Sequence, residues 1–221
     1  MVDDNITKNS QTDHCIVLDL DSTLLCTQED DDLSILQSLN IMNPKNILLR
    51  NRIYYLSVKD SVKKGDGDSY DFWGTKRPHL KEFLLFCFAH FKVVAVWSAG
   101  SYSYVHKIVE HIFKGIKKPH IIFTMDNCDY IDGYVYKPLD RIFERMEGMN
   151  IKNTFAVDDT PSTFSRNEKN GILIPKYEPT PDTFSLMENE DSLEKLQIWF
   201  QREDVKNSDD VRKLKKTKIF K

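Results

Sequence analysis

The sequence has no long apolar run, no excess of basic charge and no cysteines at metal-binding spacing. Its longest apolar run, Val93 to Trp97, is far shorter than the roughly 20 residues that span a bilayer. The formal net charge is -3, which leaves no overall positive field to hold the phosphates of a nucleic acid. We therefore predict neither membrane insertion nor direct nucleic-acid binding.

The four cysteines are scattered, and none belongs to a CxxC motif. A zinc site is therefore not expected. Cys15 and Cys87 lie in apolar segments and are predicted to be reduced core residues. Since no signal peptide is recognisable, this usage favours an intracellular protein, and the sequence does not distinguish nucleus from cytoplasm.

The chain has 221 residues, of which 40% are hydrophobic, so it can form one substantial core. Residues 1–13 are polar and are predicted to be a flexible arm. A single domain is expected over 14–214, followed by a basic tail over 215–221. No internal repeat is visible.

Buried strands and amphipathic helices alternate along this domain, which is typical of an α/β fold with a doubly wound, mostly parallel sheet. The predicted strands are Ile16–Leu18, Phe91–Trp97, Ile121–Phe123, Asn153–Val157 and Ile172–Pro175. The predicted helices begin near Arg77 and cover Tyr102–Phe113, Leu139–Met146 and Leu186–Phe200, the last extended through Leu214. A loop or small hairpin is expected over Asn127–Tyr136.

Residues 33–75 do not follow this alternation of strands and helices, and they predict a small β insert after the first strand. A short helix over Leu33–Leu39 and a turn at Gly65–Asp68 are expected there. The predicted strands of the insert are Ile47–Leu49, Ile53–Val58 and Tyr70–Trp73.

Polar residues follow three of the buried strands, and a lysine lies between the third and the fourth. These residues are Asp19, Asp21, Ser98, Lys137, Asp158 and Asp159. Because the carboxyl ends of parallel strands meet at one edge of a sheet, we expect these side chains to converge there.

The residue types fit displacement of a phosphoryl group. Asp19 can attack phosphorus as the nucleophile, and Asp21 can act as general acid and then as general base. Ser98 can hydrogen-bond a phosphoryl oxygen, and Lys137 can neutralise the developing charge.

Clustered carboxylates predict a hard dication, and Mg²⁺ prefers such oxygen ligands. The predicted metal ligands are Asp19, Asp159 and the backbone carbonyl of Asp21. Asp158 is expected to contact these ligands rather than the metal ion itself.

Each element alone has a simpler interpretation. An Asp-x-Asp pair after a strand is commonly a turn or a helix cap, and Ser98 could cap the helix that follows it. Lys137 could be a solvated surface lysine, and Asp158–Pro161 an ordinary turn. The four elements in this order, each at a strand end or in a loop, are harder to explain by chance.

These motifs resemble one known family. Asp19-Leu20-Asp21-Ser22-Thr23 matches the DxDxT signature of the haloacid dehalogenase superfamily. Within this superfamily, the chain resembles the Fcp/Scp branch, the NIF-like phosphatases. Four segments carry this resemblance: Lys76–Leu84, Trp97–Gly100, Tyr134–Leu139 and Val157–Pro161. The resemblance covers nearly all of the chain from His14 to Leu214.

The resemblance implies an Mg²⁺-dependent phosphatase that removes phosphate from phosphoserine in a polymerase II tail-like peptide. It implies that Asp19 and Asp21 are catalytic and that Thr23, Ala99 and Lys137 serve the phosphate site. Ser98 replaces the usual threonine and keeps the hydroxyl.

The chain also departs from the family. Leu24–Lys76 is longer than in small family members, and Phe123–Asp126 lacks the arginine that often follows the third strand. No BRCT-like extension is expected.

Other functions stay open from the sequence. The same chemistry could act on another phosphoprotein, a nucleotide or a small phosphate ester, or transfer phosphate to another acceptor. A non-catalytic binding module is disfavoured by the presence of both Asp19 and Asp21.

Overall fold

The computed structural model describes residues 11–29, 47–59, 67–179 and 189–221. Its strands are β1 Cys15–Leu18, β2 Leu25–Glu29, β3 Ile53–Lys59, β4 Ser69–Lys76, β5 Val93–Trp97, β6 Ile121–Phe123, β7 Asp129–Ile131, β8 Tyr134–Tyr136, β9 Thr154–Asp158 and β10 Gly171–Leu173. Its helices are α1 Ile47–Arg52, α2 Leu80–His90, α3 Tyr102–Ile112, α4 Asp140–Phe143, α5 Ser192–Phe200 and α6 Glu203–Lys206. Short 3-10 helices cover Met125–Asn127, Ser165–Asn170 and Val211–Lys213.

Five parallel strands in the order β10-β9-β1-β5-β6 form the central sheet. Every residue of β1, β5 and β9 is buried, as expected for strands covered on both faces. Alternate residues of β1 enter different cores, because successive side chains of a strand point to opposite faces. Ile16 and Leu18 pack with α2, α3 and α5, whereas Cys15 and Val17 pack with α4 on the other face. The predicted α/β fold with a mostly parallel sheet is confirmed.

A second, antiparallel sheet in the order β2-β4-β3 forms the insert. It begins at Leu25, earlier than the predicted start near residue 33. Gln28 and Glu29 both lie on β2, where they pair with Trp73 and Phe72. The edge position of this strand explains how it carries polar residues.

The predicted strand at Ile47–Leu49 is wrong, since these residues belong to α1. A three-residue apolar run cannot distinguish a strand from a helix, and here Leu48 is exposed rather than paired in a sheet. The predicted helix at Leu33–Leu39 lies outside the described residues, and so does Gly65–Asp66 of the predicted turn.

The C-terminal segment differs from the predicted continuous helix. α5 ends at Phe200, and α6 and a 3-10 helix follow as separate elements. The basic tail over 215–221 packs on the domain: Lys216 Nζ donates to the carbonyls of Lys169 and Val211 at 2.7 Å each, and Ile219 is buried.

The last residues of the predicted arm also contact the domain. Thr12 is buried, and its hydroxyl donates to the His90 carbonyl at 2.9 Å. Within the described parts of the chain, no helix has both the length and the apolar character needed to cross a bilayer.

Candidate active site

The carboxyl edge of the central sheet forms a cleft of about 300 Å³. The cleft brings together nearly all of the sequence-predicted site residues. It is lined by Asp19, Asp21, Ser98, Ala99, Gly100, Val135, Lys137, Asp158, Asp159, Thr160 and Thr163. The ends of β1, β5 and β9 supply the acids and the serine, and the segment after β8 supplies the lysine.

Lys137 lies at the centre of this edge and is buried. Its ammonium group donates to Asp19 Oδ1 at 2.6 Å and to Asp158 Oδ2 at 2.7 Å. The backbone fixes its position, because Lys137 N donates to the Thr163 carbonyl at 2.6 Å. The alternative of a solvated surface lysine is thus excluded by the structure.

Burial and charge oppose each other at the Asp19–Lys137 pair. Burial raises the pKa of the Asp19 carboxyl to about 8, and the Asp158 carboxylate adds to the rise while Lys137 opposes it. Burial lowers the pKa of Lys137, but its two carboxylate partners outweigh that effect and raise it. One ammonium group is insufficient to offset the burial of this acidic cluster, so an added cation would favour the ionised carboxylates.

The side chains of Asp19, Asp158 and Asp159 offer three oxygen ligands that lie within 4.8 Å of one another. All three residues are buried, and a carboxylate donor set suits Mg²⁺ rather than a soft metal. This fits the predicted cation, and it adds Asp158, which the sequence places behind the ligands, to the predicted Asp19 and Asp159.

Asp21 is held by a partner that sequence reasoning missed. The hydroxyl of Tyr104, on the first turn of α3, donates to Asp21 Oδ1 at 2.5 Å. Burial raises the pKa of Asp21, and this hydrogen bond partly opposes the rise. A raised pKa suits a group that must donate a proton. The signal available in the sequence was the position of Tyr104, six residues after Ser98 in the predicted helix Tyr102–Phe113.

Thr23 lies behind the cleft rather than in its lining. It is fully buried, and its hydroxyl donates to Asp159 Oδ1 at 3.3 Å and accepts from Asp159 N at 3.1 Å. These bonds join the DxDxT segment to the acidic pair after β9. Through these contacts Thr23 supports Asp159 from behind the cleft.

The DxDxT segment turns sharply after Asp21. Ser22 has a positive φ of 58°, and the amides of Thr23, Leu24 and Leu25 all donate to the Leu20 carbonyl. This turn leaves Asp19 and Asp21 at the cleft while the chain enters β2.

Ser98 does not cap α3, where Ser101 occupies the N-cap position. It is buried, and its Oγ accepts from Gly100 N at 3.0 Å. Ser98 and Ala99 both line the cleft, so the Ser98 hydroxyl and the adjoining backbone form part of its wall.

A buried ion pair that sequence reasoning missed supports the cleft. Arg77, at the predicted start of a helix, is buried and donates twice to the Glu190 carboxylate at 2.8 Å. It also donates to the carbonyls of Thr23 and Pro175 at 2.8 Å each. The pair therefore fastens the DxDxT segment to the chain that follows β10.

This sheet order, with its acidic strand ends, defines the class as haloacid dehalogenase-like. Residues 14–212 match the family model of the NLI interacting factor-like phosphatases. The chain belongs to this family, which is a family of enzymes, and the predicted membership is confirmed.

Two curated relatives carry related names. The CTD phosphatase-like protein 355R of Invertebrate iridescent virus 3 is 25% identical over 172 residues, or 73% of this chain and 83% of the relative. The CTD small phosphatase-like protein 2 of Dictyostelium discoideum is 28% identical over 143 residues, or 65% of this chain and 22% of the relative. The chain therefore spans most of the first relative but under a quarter of the second.

Two solved structures share the fold. One is fission yeast Fcp1, an RNA polymerase II CTD phosphatase, bound to beryllium fluoride, with a TM-score of 0.56 and 18% identity over 75% of this chain and 42% of that chain. Another Fcp1 structure has a TM-score of 0.56 and 16% identity over 85% of this chain and 49% of that chain. At this identity, the likeness shows the fold.

Proposed function

We propose that this chain is an Mg²⁺-dependent phosphoserine or phosphothreonine protein phosphatase acting through an aspartyl-phosphate. The convergence of Asp19, Asp158, Asp159 and Lys137 at one buried edge carries this proposal. The names of the relatives support a phosphorylated polypeptide substrate resembling the polymerase II tail.

In the first step, an Asp19 carboxylate oxygen forms a bond to phosphorus as the ester P–O bond breaks. Asp21 donates its proton to the departing alkoxide. In the second step, Asp21 removes a proton from water as the water oxygen attacks phosphorus, which releases inorganic phosphate and restores Asp19.

Lys137 and Ser98 would bind the phosphoryl oxygens where charge develops. Asp19, Asp159 and the backbone carbonyl of Asp21 would hold Mg²⁺, and Asp158 would position Lys137. When bound, Mg²⁺ would supply charge neutralisation of the phosphoryl group and of the clustered carboxylates.

A hairpin beside the cleft supports a polypeptide substrate. Val135 of β8 lines the cleft, while Tyr130, Ile131 and Tyr134 on the same hairpin are exposed. Exposed apolar side chains next to a site are typical of contact with another protein. Arg141 and Arg166 both pair with Asp129 and hold the hairpin in place.

We also propose that the protein acts inside the cell, in the nucleus or the cytoplasm. The support is that all four cysteines are free thiols, and that three of them, Cys15, Cys87 and Cys128, are buried. Free thiols persist in reducing compartments.

Phosphate release from an aryl phosphate and from singly phosphorylated heptad peptides tests the function, with Mg²⁺ or with EDTA. We expect activity only with Mg²⁺, and a loss on the order of 10³-fold or more in Asp19→Asn. Asp126→Asn, at an exposed position, is the matched control and should keep full activity.

Undiminished activity in Asp19→Asn would exclude this mechanism. Equal turnover of nucleotides and peptides would exclude the protein substrate and favour a small-molecule phosphatase.

A further inference from the structure

A second cleft, of about 460 Å³, has no described lining residue in common with the catalytic cleft. It lies where the end of α1, the end of β4, the start of α2 and the end of α3 meet. Its volume is within the range of small-molecule sites. We call it the basic cleft because its lining contains Arg52, Lys76, Lys81 and Lys114.

The charges of the basic cleft are poorly balanced. Arg77 also lines it, but Glu190 neutralises that residue. Among the residues of the lining that the structure describes, the other four cations are opposed by one carboxylate, Glu82, which leaves three positive charges in excess there. Among the described residues, no ion pair engages the three lysines.

His111 also lines the basic cleft, and the positive charges around it affect its pKa. Burial lowers the pKa of its imidazole, and Lys76 and Lys114 lower it further. The lowered pKa favours the neutral form of the imidazole. Its Nε2 atom is buried without a hydrogen-bond partner among the described residues, so the cleft contains an unused polar atom beside its cations.

Arg52 is held in place before any ligand arrives. Its Nη1 donates to the Tyr177 hydroxyl at 2.9 Å and approaches the Lys76 carbonyl at 3.5 Å. A guanidinium fixed in this way can recognise a phosphate at low entropic cost. Leu80 and Ile112 give the cleft an apolar wall.

We propose that the basic cleft binds a phosphate ester, with the phosphoryl group on its cations and the organic part against Leu80 and Ile112. A phosphate carries about two negative charges near pH 7, so it offsets more of the excess than a single carboxylate. The ester could be a free small molecule or a phosphorylated side chain of a polypeptide. This site is independent of the proposed catalytic activity.

Amide NMR of ¹⁵N-labelled protein can test the two clefts together. Phenylphosphonate, which is not hydrolysed, is titrated in EDTA at constant ionic strength. The amides of Lys81, Glu82 and Lys114 report on the basic cleft, and those of Ala99 and Gly100 report on the catalytic cleft. We expect saturable shifts in the first group.

The double variant Lys81→Gln, Lys114→Gln should weaken this binding at least about tenfold, as expected from the loss of two charged contacts. The matched control is Lys117→Gln, Lys118→Gln, which removes the same charge at exposed positions outside the lining. The control should bind as the unchanged protein does.

Shifts confined to Ala99 and Gly100, a response that does not saturate, or equal weakening in both double variants would overturn the proposal. Adenosine monophosphate and a phosphoserine peptide, titrated in the same way, then separate the two sources. Binding of either at the basic cleft supports the site and assigns its source, and binding of neither overturns it. Phosphatase activity plays no part in these readouts, so failure here is distinct from failure of the proposed function.

Discussion

Replacing Arg77 by methionine tests the pair that fastens the DxDxT segment. The change removes the charge partner of Glu190 and the donors to the Thr23 and Pro175 carbonyls. Removing one member of a buried ion pair costs about 3–5 kcal/mol. The Glu190 side chain is 12% exposed and keeps the Ser192 amide as a donor at 3.0 Å, so we expect the lower end, about 3 kcal/mol.

Urea unfolding followed by tryptophan fluorescence measures this loss, because all three tryptophans are buried. Arg202→Met is the matched control. Arg202 makes the same two-bond contact with Asp204, but the side chains are 56% and 59% exposed, so its loss should cost less than about 1 kcal/mol. Equal costs for the two variants would refute the stabilising role assigned to Arg77.

The stability difference between the unchanged protein and Arg77→Met should also depend on pH, in a direction that follows from the pKa of Glu190. Burial raises the pKa of Glu190, but the hydrogen bonds and charge of Arg77 outweigh this and hold it below its usual 4.5. A carboxyl with a lowered pKa stabilises the fold above the unfolded value and loses that contribution as the pH falls through the folded value. In Arg77→Met the burial of Glu190 is no longer opposed by Arg77 and raises its pKa, so the stability difference between the unchanged protein and the variant should shrink as the pH falls, from above 4.5 to below it. A constant difference would show that Glu190 is not the partner responsible.

Three further outcomes are expected. Gly171→Ala should lower stability by about 2 kcal/mol in urea unfolding, because its Cβ would lie 2.2 Å from the Phe164 ring; an unchanged midpoint would contradict this packing. Tyr104→Phe should lower the rate of phosphate release about tenfold with little effect on fold, because Asp21 loses its hydroxyl partner; full activity would exclude this positioning role. Burial lowers the pKa of His90 from its usual 6.5 to about 4. As the pH falls through this interval, the unfolded chain binds a proton at His90 before the folded protein does, so the folded state loses stability. His90→Phe should reduce the stability loss between pH 7 and pH 5 by on the order of 1 kcal/mol, and an unchanged loss would contradict it.

The central sheet could be predicted because its strands are buried on both faces and read as continuous apolar runs. Val93–Trp97 and Thr154–Asp158 illustrate this, since every residue of both is buried. The strand ends followed from the same pattern, so the convergence of Asp19 and Asp159 could be expected from chain order alone. Helix α2 was equally clear, because Leu80, Phe83 and Leu84 repeat at helical spacing and are all buried.

The remaining features depend on contacts that the sequence does not display. β2 lies at the edge of a small sheet, so its polar residues pair through the backbone and give no apolar signal. Arg77 and Glu190 are 113 residues apart, and nothing local to either residue indicates the other. The bond from Tyr104 to Asp21 spans 83 residues and depends on how α3 packs beside the DxDxT turn.

The strand order has a consequence for how the chain is synthesised. β1 lies between β5 and β9, and its Cys15 pairs with Thr154 in one direction and Val93 in the other. While a ribosome is still making residues before Thr154, one side of β1 has no strand to pair with. An unpaired apolar edge invites association with other chains. We therefore expect nascent chains that stall before β9 to depend on chaperones, and to gain the acidic cluster only when that strand closes the gap.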